Sequence, residues 1–188
     1  MGDDATTWID RGRRARREGI PAEARLAYAE AIAACHGAAS RGLLIEALKG
    51  LARIERDLGR PAAALPLYEE AVAVGRETAD ALGLAHTLRH LGDARRETGK
   101  IDLAEPCYRE ALAIYRSHPE TAPLELANAI RPLAIVEEKA GRSAEARRFW
   151  HEARDLYAAA GVEAGFAECA QRMEALSADE DLPRPSGT

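Results

Sequence analysis

The chain has 188 residues, of which 47% are hydrophobic and 30% are charged, and its formal net charge is −5. This composition excludes a disordered chain, and the negative balance argues against nucleic acid as a general partner because phosphate binding needs a positive surface. The apolar residues are mostly alanine and only 5% of residues are aromatic, which favours an all-α fold.

In chain order, the apolar and polar pattern predicts helices at about 4–18, 21–38, 40–58, 61–78, 80–98, 101–117, 121–140, 143–160 and 162–177. We expect a single domain over 1–177, made of four helical hairpins at about 4–38, 40–78, 80–117 and 121–160 and a capping helix at 162–177. The capping helix carries one apolar face, formed by Val162, Phe166, Cys169, Met173 and Leu176. Residues 178–188 are acidic and proline-containing, and we predict a disordered tail.

The hairpins repeat a fixed set of small and bulky residues. Glycines recur at spacings of 40, 40 and 42 residues, at Gly19, Gly59, Gly99 and Gly141. An alanine follows each glycine by five residues, an aromatic residue by nine and a second alanine by twelve: Ala24, Tyr28 and Ala31; Ala64, Tyr68 and Ala71; Ala104, Tyr108 and Ala111; Ala146, Trp150 and Ala153. We expect the glycine to end the first helix of each pair, the alanines to allow close helix contact and the ring to fill the gap between neighbouring hairpins. Such hairpins must stack to bury that face.

This residue set resembles the tetratricopeptide repeat family over roughly residues 5 to 160. The run 104–112, Ala-Glu-Pro-Cys-Tyr-Arg-Glu-Ala-Leu, is similar to the longer repeat of kinesin light chain. The resemblance implies an α–α superhelix. The sequence departs from the family pattern four residues before each glycine, where the common aromatic residue is replaced by Ala15, Glu55, Arg95 and Glu137.

The resemblance also implies a concave groove, lined by residues two, three, six, nine, ten and thirteen places before each glycine. These positions, which include Ile9 and Pro132, hold ten basic and six acidic residues, so their net charge of +4 contrasts with the −5 of the whole chain. We therefore predict an acidic peptide or protein partner. The candidate binding residues are Arg13, Lys49, Arg53, Arg56, His86, Arg89, His90, Arg96, Asn128 and Arg131. The alternative is that these are solvated surface charges. The carboxylate-clamp pattern of chaperone-binding members is not met.

Other chemistry finds little support in the sequence. His86, His90 and Asp93 share a helix face, but Arg89 and Arg96 beside them disfavour a metal ion, so no metal or other cofactor is expected. The basic run 11–17 has no interleaved aromatic residue for base stacking, so we expect no nucleic acid. No catalytic motif is present, and Pro132 is expected to kink its helix. Cys35, Cys107 and Cys169 are interpreted as small buried hydrophobic residues.

These observations predict a non-catalytic interaction scaffold or adaptor. A regulatory module that senses a peptide or small ligand is the alternative. The short apolar runs and the start Met1-Gly2-Asp3-Asp4 resemble neither a membrane span nor a secretory signal, so a cytoplasmic location is expected. The alanine- and arginine-rich composition hints at a bacterial source.

Overall fold

The computed structural model describes residues 4–36 and 40–180. All regular structure in these two ranges is α-helical, without a strand, which confirms the predicted all-α fold of the α–α superhelix class. The helices are α1 (Ala5–Arg17), α2 (Pro21–Ala34), α3 (Arg41–Asp57), α4 (Pro61–Gly75), α5 (Ala81–Glu97), α6 (Ile101–Arg116), α7 (Pro123–Lys139), α8 (Ser143–Ala159) and α9 (Glu163–Glu180).

The helices belong to two compact units, divided between Ala111 and Leu112. In the first unit, α1 packs on α2 and α3 packs on α4, while α1 also contacts α3 directly. The second unit contains the hairpin of α7 and α8, and α9 packs on α8. The single domain predicted over 1–177 stays a prediction.

Each predicted turn glycine ends the first helix of a pair in the left-handed backbone region. The φ angles of Gly19, Gly59, Gly99 and Gly141 lie between +72° and +78°. The residue after the glycine closes the helix with a hydrogen bond to the carbonyl five positions back, as in the 2.9 Å bond from the Ile20 N–H to the Ala15 oxygen. A side chain disfavours this conformation, so the glycine fixes where each pair turns.

The recurring alanines and rings form the core of each hairpin. The Tyr28 ring lies between the first helices of two successive hairpins, because a Cβ added at Gly12 of α1 would lie 2.9 Å from it and one added at Gly50 of α3 only 2.3 Å. The ring thus fills the space between neighbouring hairpins, as predicted. The twelve repeated residues are at most 3% exposed: Ala24, Tyr28, Ala31, Ala64, Tyr68, Ala71, Ala104, Tyr108, Ala111, Ala146, Trp150 and Ala153.

Buried ion pairs occupy the position at which the repeat family often has an aromatic residue. The Glu55 carboxylate is 4% exposed, and it accepts a 2.5 Å hydrogen bond from Arg25 Nε. Glu137 is fully buried and accepts a hydrogen bond from Arg142. A buried carboxylate is tolerated only with such a partner, so at these two of the four positions a charge pair stands where the family often has a ring.

The C-terminal helix differs from the prediction in two respects. Phe166 is 43% exposed, whereas Cys169 and Leu176 are buried, so the predicted apolar face is wrong at Phe166. Gly165, rather than Phe166, faces α8 at this point, where an added Cβ would lie 2.6 Å from the Tyr157 ring. Helix α9 also continues to Glu180, three residues into the predicted tail, since the first helix-breaking residue is Pro183. The remaining tail, 181–188, lies outside the described residues.

Smaller corrections concern individual side chains. Cys107 and Cys169 are buried as predicted, but Cys35 is only half-buried because it stands at the end of α2. Helix α2 ends at Ala34 rather than at 38, and residues 37–39 lie outside the described part. Helix α7 runs through Pro132, which is buried rather than facing a groove, and Ile9 is likewise buried at 1% exposure. The kink predicted at Pro132 stays a prediction.

Candidate partner-binding surface

In the first unit, α1, α3 and α5 together line a central cavity of about 180 Å³. Tyr28, Gly50 and Tyr68 also line this cavity. Helices α1, α3 and α5 are the first helices of their hairpins, so the surface predicted to bind a partner forms here. We call this surface the groove face. Five of the ten candidate residues line the cavity: Arg13, Lys49, Arg53, His86 and His90.

The cations around the central cavity differ in whether they are neutralised. Arg13 forms ion pairs with Asp10, at 2.9 Å, and with Glu46 of α3. Arg16 and Arg53 also line the cavity, and neither has a hydrogen bond or ion pair with any residue in the described ranges. Their charges are therefore not cancelled by a carboxylate of the described chain, and they give the cavity a positive potential.

Two histidines close the cavity on the α5 side. Their rings meet edge to face with centroids 4.6 Å apart, and His90 stacks on the Tyr68 ring at 5.9 Å. Burial, together with the charges of Lys49, Arg89 and Arg53 and the neighbouring His90, lowers the pKa of His86 to about 3. Burial also lowers the pKa of His90, although Asp93 partly opposes this effect. Both imidazoles are thus neutral at pH 7.

A second cavity, of about 500 Å³, lies further along α3 and carries its own charge network. Arg56 lines it and bonds Glu97, with a 3.0 Å bond from Nε to Oε2, and it lies 3.6 Å from Asp93. Burial opposes the charge of Arg56, but Glu97 and Asp93 outweigh burial and raise its pKa. Arg56 is therefore compensated within the protein and is a weaker candidate for binding an anion than Arg53.

A third cavity, of about 410 Å³, lies at the other end of α3 and is more apolar. Ile45 and Leu84 contribute apolar side chains, and Glu46 and Lys49 form the wall shared with the central cavity. A pocket of this size accepts an apolar side chain or a small molecule. Three cavities thus follow one another along the groove face of α3.

Two further candidates on α5 do not line the central cavity. Arg89 is half-buried, with one guanidinium nitrogen 3.2 Å from His90 Nε2 and another 3.8 Å from Asp93. Arg96 is half-buried too, and its charge acts on the Tyr108 hydroxyl, whose pKa burial raises. These side chains stabilise the polar interior of α5 rather than offering their charge to a partner.

Asn128 and Arg131 belong to the second unit and are occupied by its own helices. The Tyr157 hydroxyl donates a 3.0 Å hydrogen bond to Asn128 Oδ1. Arg131 donates two hydrogen bonds to Glu168 of α9, at 2.7 and 2.8 Å, and this contact raises its pKa. Both residues tie α7 to the helices that follow it.

The surroundings of His90 do not favour a metal ion. His90 Nδ1 and Nε2 lie 3.4 and 3.2 Å from the guanidinium nitrogens of Arg56 and Arg89, which repel a cation. Over 4–36 and 40–180, no cluster of three or more His, Cys, Asp or Glu side chains has the arrangement of a metal site. None of the helices in those ranges has the length and apolar character that crossing a membrane requires.

Sequence reasoning found the helices of the surface but did not single out every important residue. Arg16 was one of the groove positions but not a candidate, and Tyr28 and Tyr68 were interpreted only as core residues. Repeat register alone assigns equal weight to every groove position. The repeat pattern does not show which cations form an ion pair with a carboxylate of the neighbouring hairpin, as Arg13 does with Glu46.

Successive antiparallel helix pairs with glycine turns define a helical-repeat protein of the scaffold class. The sequence model of the tetratricopeptide repeat matches residues 43–117. This match agrees with the predicted resemblance to the tetratricopeptide repeat family, and a putative kinesin light chain with TPR-like repeats is among the solved structures of the same fold. A search of the curated proteins gives no significant match.

Solved structures show the same fold at low sequence identity. BtubC (BKLC) from P. vanneervenii is 18% identical, with a TM-score of 0.67, over 98% of this chain and 94% of that one. The MamA protein is 19% identical, with a TM-score of 0.64, over 99% and 100% of the two chains. A putative kinesin light chain with nearly identical TPR-like repeats, from Podosopora anserina, is 19% identical with a TM-score of 0.57, over 97% and 100%. At these identities the likeness shows the fold alone.

Proposed function

We propose that this protein is a cytoplasmic, non-catalytic scaffold that binds an acidic peptide or protein segment on the groove face. The central cavity is the observation that supports this proposal. Arg16 and Arg53 line it without an acidic partner among the described residues, and Lys49 adds a third cation to its wall. Uncompensated cations in a partly enclosed site attract anionic groups and repel cationic ones.

The family supports the scaffold part of the proposal, because tetratricopeptide repeats generally serve to bind proteins and not to catalyse reactions. The net charge of −5 supports the acidic partner, because it places the remaining negative charge away from the groove face. A negatively charged segment is then drawn to the groove face, where Arg16 and Arg53 are uncompensated within the described ranges.

The arrangement of the cavities favours an extended segment. Ile45 lies at the third cavity, Gly50 at the central cavity and Arg56 at the second cavity. At 1.5 Å per helical residue, the distance from residue 45 to 56 is about 16 Å, which about five residues of extended chain cover. One segment can therefore place side chains in all three cavities.

Selection from a random peptide library by the immobilised protein tests the proposal. We expect the natural protein to enrich acidic peptides, and the double variant Arg16→Gln, Arg53→Gln to lose them. The matched control is Arg14→Gln, Arg17→Gln, which removes the same charge from exposed positions of α1 outside the central cavity and should keep the selection. The proposal would be contradicted if the enriched peptides lacked acidic residues, or if the double variant Arg16→Gln, Arg53→Gln enriched the same peptides as the natural protein.

A regulatory module that senses a peptide or small ligand is the second candidate. The 410 Å³ volume of the third cavity favours it, since small-molecule sites occupy about 300–1,000 Å³. Native mass spectrometry of the protein, purified gently from its own cells, separates the two. A retained small molecule, lost when Leu84→Trp fills the cavity, would favour the sensor.

A further inference from the structure

The central cavity is suited to one kind of anion more than to others. We propose that it holds the phosphoryl group of a phosphorylated residue in the bound segment. This inference rests on the proposed function and names the chemistry that the groove face recognises. Charge, hydrogen-bonding capacity, volume and the burial of the surrounding rings each support it.

The charge of the cavity lining exceeds what one carboxylate can neutralise. Arg13, Arg16, Lys49 and Arg53 line it, and Glu46 is the acid that lines it with them. Arg13 and Glu46 cancel as an ion pair, and Arg16 and Arg53 contribute two positive charges that no carboxylate of the described ranges neutralises. A carboxylate brings one negative charge, whereas a phosphoryl group brings about −1.5 to −2 at pH 7. The dianion is the better electrostatic match.

The donors of the cavity also exceed the needs of a carboxylate. Arg16 on α1 and Arg53 on α3 present guanidinium groups from two adjacent helices. His86 Nδ1 on α5 is buried and has no hydrogen-bond partner among the residues in 4–36 and 40–180. A buried nitrogen without a partner is costly, and a ligand oxygen would satisfy it. Two helices thus offer guanidinium donors, and His86 adds a third donor in its Nδ1–H tautomer, to an anion that has three terminal acceptor oxygens.

The cavity has a volume of about 180 Å³, well above the roughly 30 Å³ that one water molecule takes in the liquid, so it has room for a tetrahedral group and its linking atoms. Gly50 lies in its lining, where the missing side chain lets the Tyr28 ring pack against α3. The apolar third cavity shares the wall at Glu46 and Lys49. The phosphorylated residue should therefore have an apolar neighbour within about two positions, which spans roughly 7 Å of extended chain.

The rings around the cavity favour a phosphopeptide over a nucleotide or nucleic acid. Recognition of single-stranded nucleic acid relies on aromatic faces that stack with bases. Tyr28 and Tyr68 are only 3% and 1% exposed, since their faces are covered by Gly50 and His90. No ring face is left for a base at this cavity, while the cations remain accessible.

Titration calorimetry of the full chain tests the proposal with three blocked peptides, acetyl-Leu-Gly-X-Gly-amide, in which X is phosphoserine, glutamate or serine. We expect the phosphoserine peptide to bind about tenfold more tightly than the glutamate peptide, and the serine peptide more weakly than both. Arg53→Gln should weaken phosphoserine binding about tenfold, whereas Arg17→Gln, outside the cavity, should not change it. Circular dichroism confirms that the variants are folded.

Several outcomes would overturn the proposed phosphate site, and they are distinguishable from a failure of the proposed scaffold function. Equal affinities for the phosphoserine and glutamate peptides would make the cavity a general acidic site, so the scaffold function would stand and this inference would fall. An unchanged affinity of Arg53→Gln would place the phosphate elsewhere. Adenosine monophosphate binding as tightly as the phosphopeptide would remove the assignment to a peptide, and no binding at about 1 mM peptide would reject the phosphate site outright.

Discussion

Replacing Gly50 by alanine tests whether the Tyr28 ring holds the first two hairpins together. The new Cβ would lie 2.3, 2.5 and 2.7 Å from three ring atoms, so the ring or the helix must move by about 1 Å to restore ordinary contact. The ring cannot simply retreat, because Gly12 of α1 lies against it as well. Overpacking of this kind costs about 1–3 kcal/mol, and the better helix propensity of alanine returns about 0.5–1 kcal/mol. We expect Gly50→Ala to lose about 1–2 kcal/mol of unfolding free energy.

Gly42→Ala provides the control within the same helix. Nothing lies within 4 Å of a Cβ at Gly42, so this change should be neutral or stabilising by a few tenths of a kcal/mol. Urea denaturation followed by circular dichroism measures both variants, and the midpoint of the first transition is compared because repeat proteins can unfold in steps. A Gly50→Ala protein as stable as Gly42→Ala would refute the role assigned to the ring.

Three other predictions concern the buried charges, the histidines and the thiols. Arg142→Ala should cost about 1–3 kcal/mol in urea denaturation, because it removes a partner of the fully buried Glu137; an unchanged midpoint would contradict this. The pKa of His86 is about 3 in the folded protein and 6.5 in the unfolded chain, so the free energy of unfolding should fall as the pH drops below about 6.5. This fall should be smaller in His86→Asn, and the imidazole NMR shifts of His86 should stay constant from pH 5 to 8. In the native protein, a thiol reagent should modify Cys35 first, since Cys107 and Cys169 are buried and burial raises their pKa; rapid reaction of all three would oppose it.

The fold was predictable from the sequence because its determinants are local and repeated. A glycine with a positive φ can end a helix within a few residues of sequence, and the alanine and ring that follow it need only one neighbouring helix. The same three side chains recur four times, so a chance match at one hairpin does not mislead the prediction. The predicted and observed helix bounds accordingly agree within a few residues. The exception is the end of α2, where the apolar pattern of the sequence continues beyond Ala34.

The candidate site was predictable only as a surface. Repeat register identifies which positions face outward, but it does not show whether a charge is already neutralised. Arg56 and Arg131 are paired with Glu97 and Glu168, which lie 41 and 37 residues further along the chain. Such pairs depend on rotamers and on the offset between hairpins, which a spacing rule does not contain. Phe166 was misplaced for a similar reason, since its neighbour Gly165 takes the contact with the Tyr157 ring of α8 while Cys169 and Leu176 keep the predicted burial.

One repeat position determines how closely the ring of the preceding hairpin packs against the next first helix. The residue 31 places after a turn glycine covers the ring of the preceding hairpin, and it is Gly50 for Tyr28 and His90 for Tyr68. In the second unit the corresponding residue is Arg172, whose guanidinium lies 5.9 Å from the Trp150 ring centroid and pairs with Glu138 at 3.1 Å. A histidine or arginine packs a side chain against the ring, whereas at Gly50 the Tyr28 ring itself occupies the space of the missing side chain. Glycine at this position of the second repeat therefore lets the ring contact α1 and α3 at once, which explains why the first two hairpins pack so closely beside the central cavity.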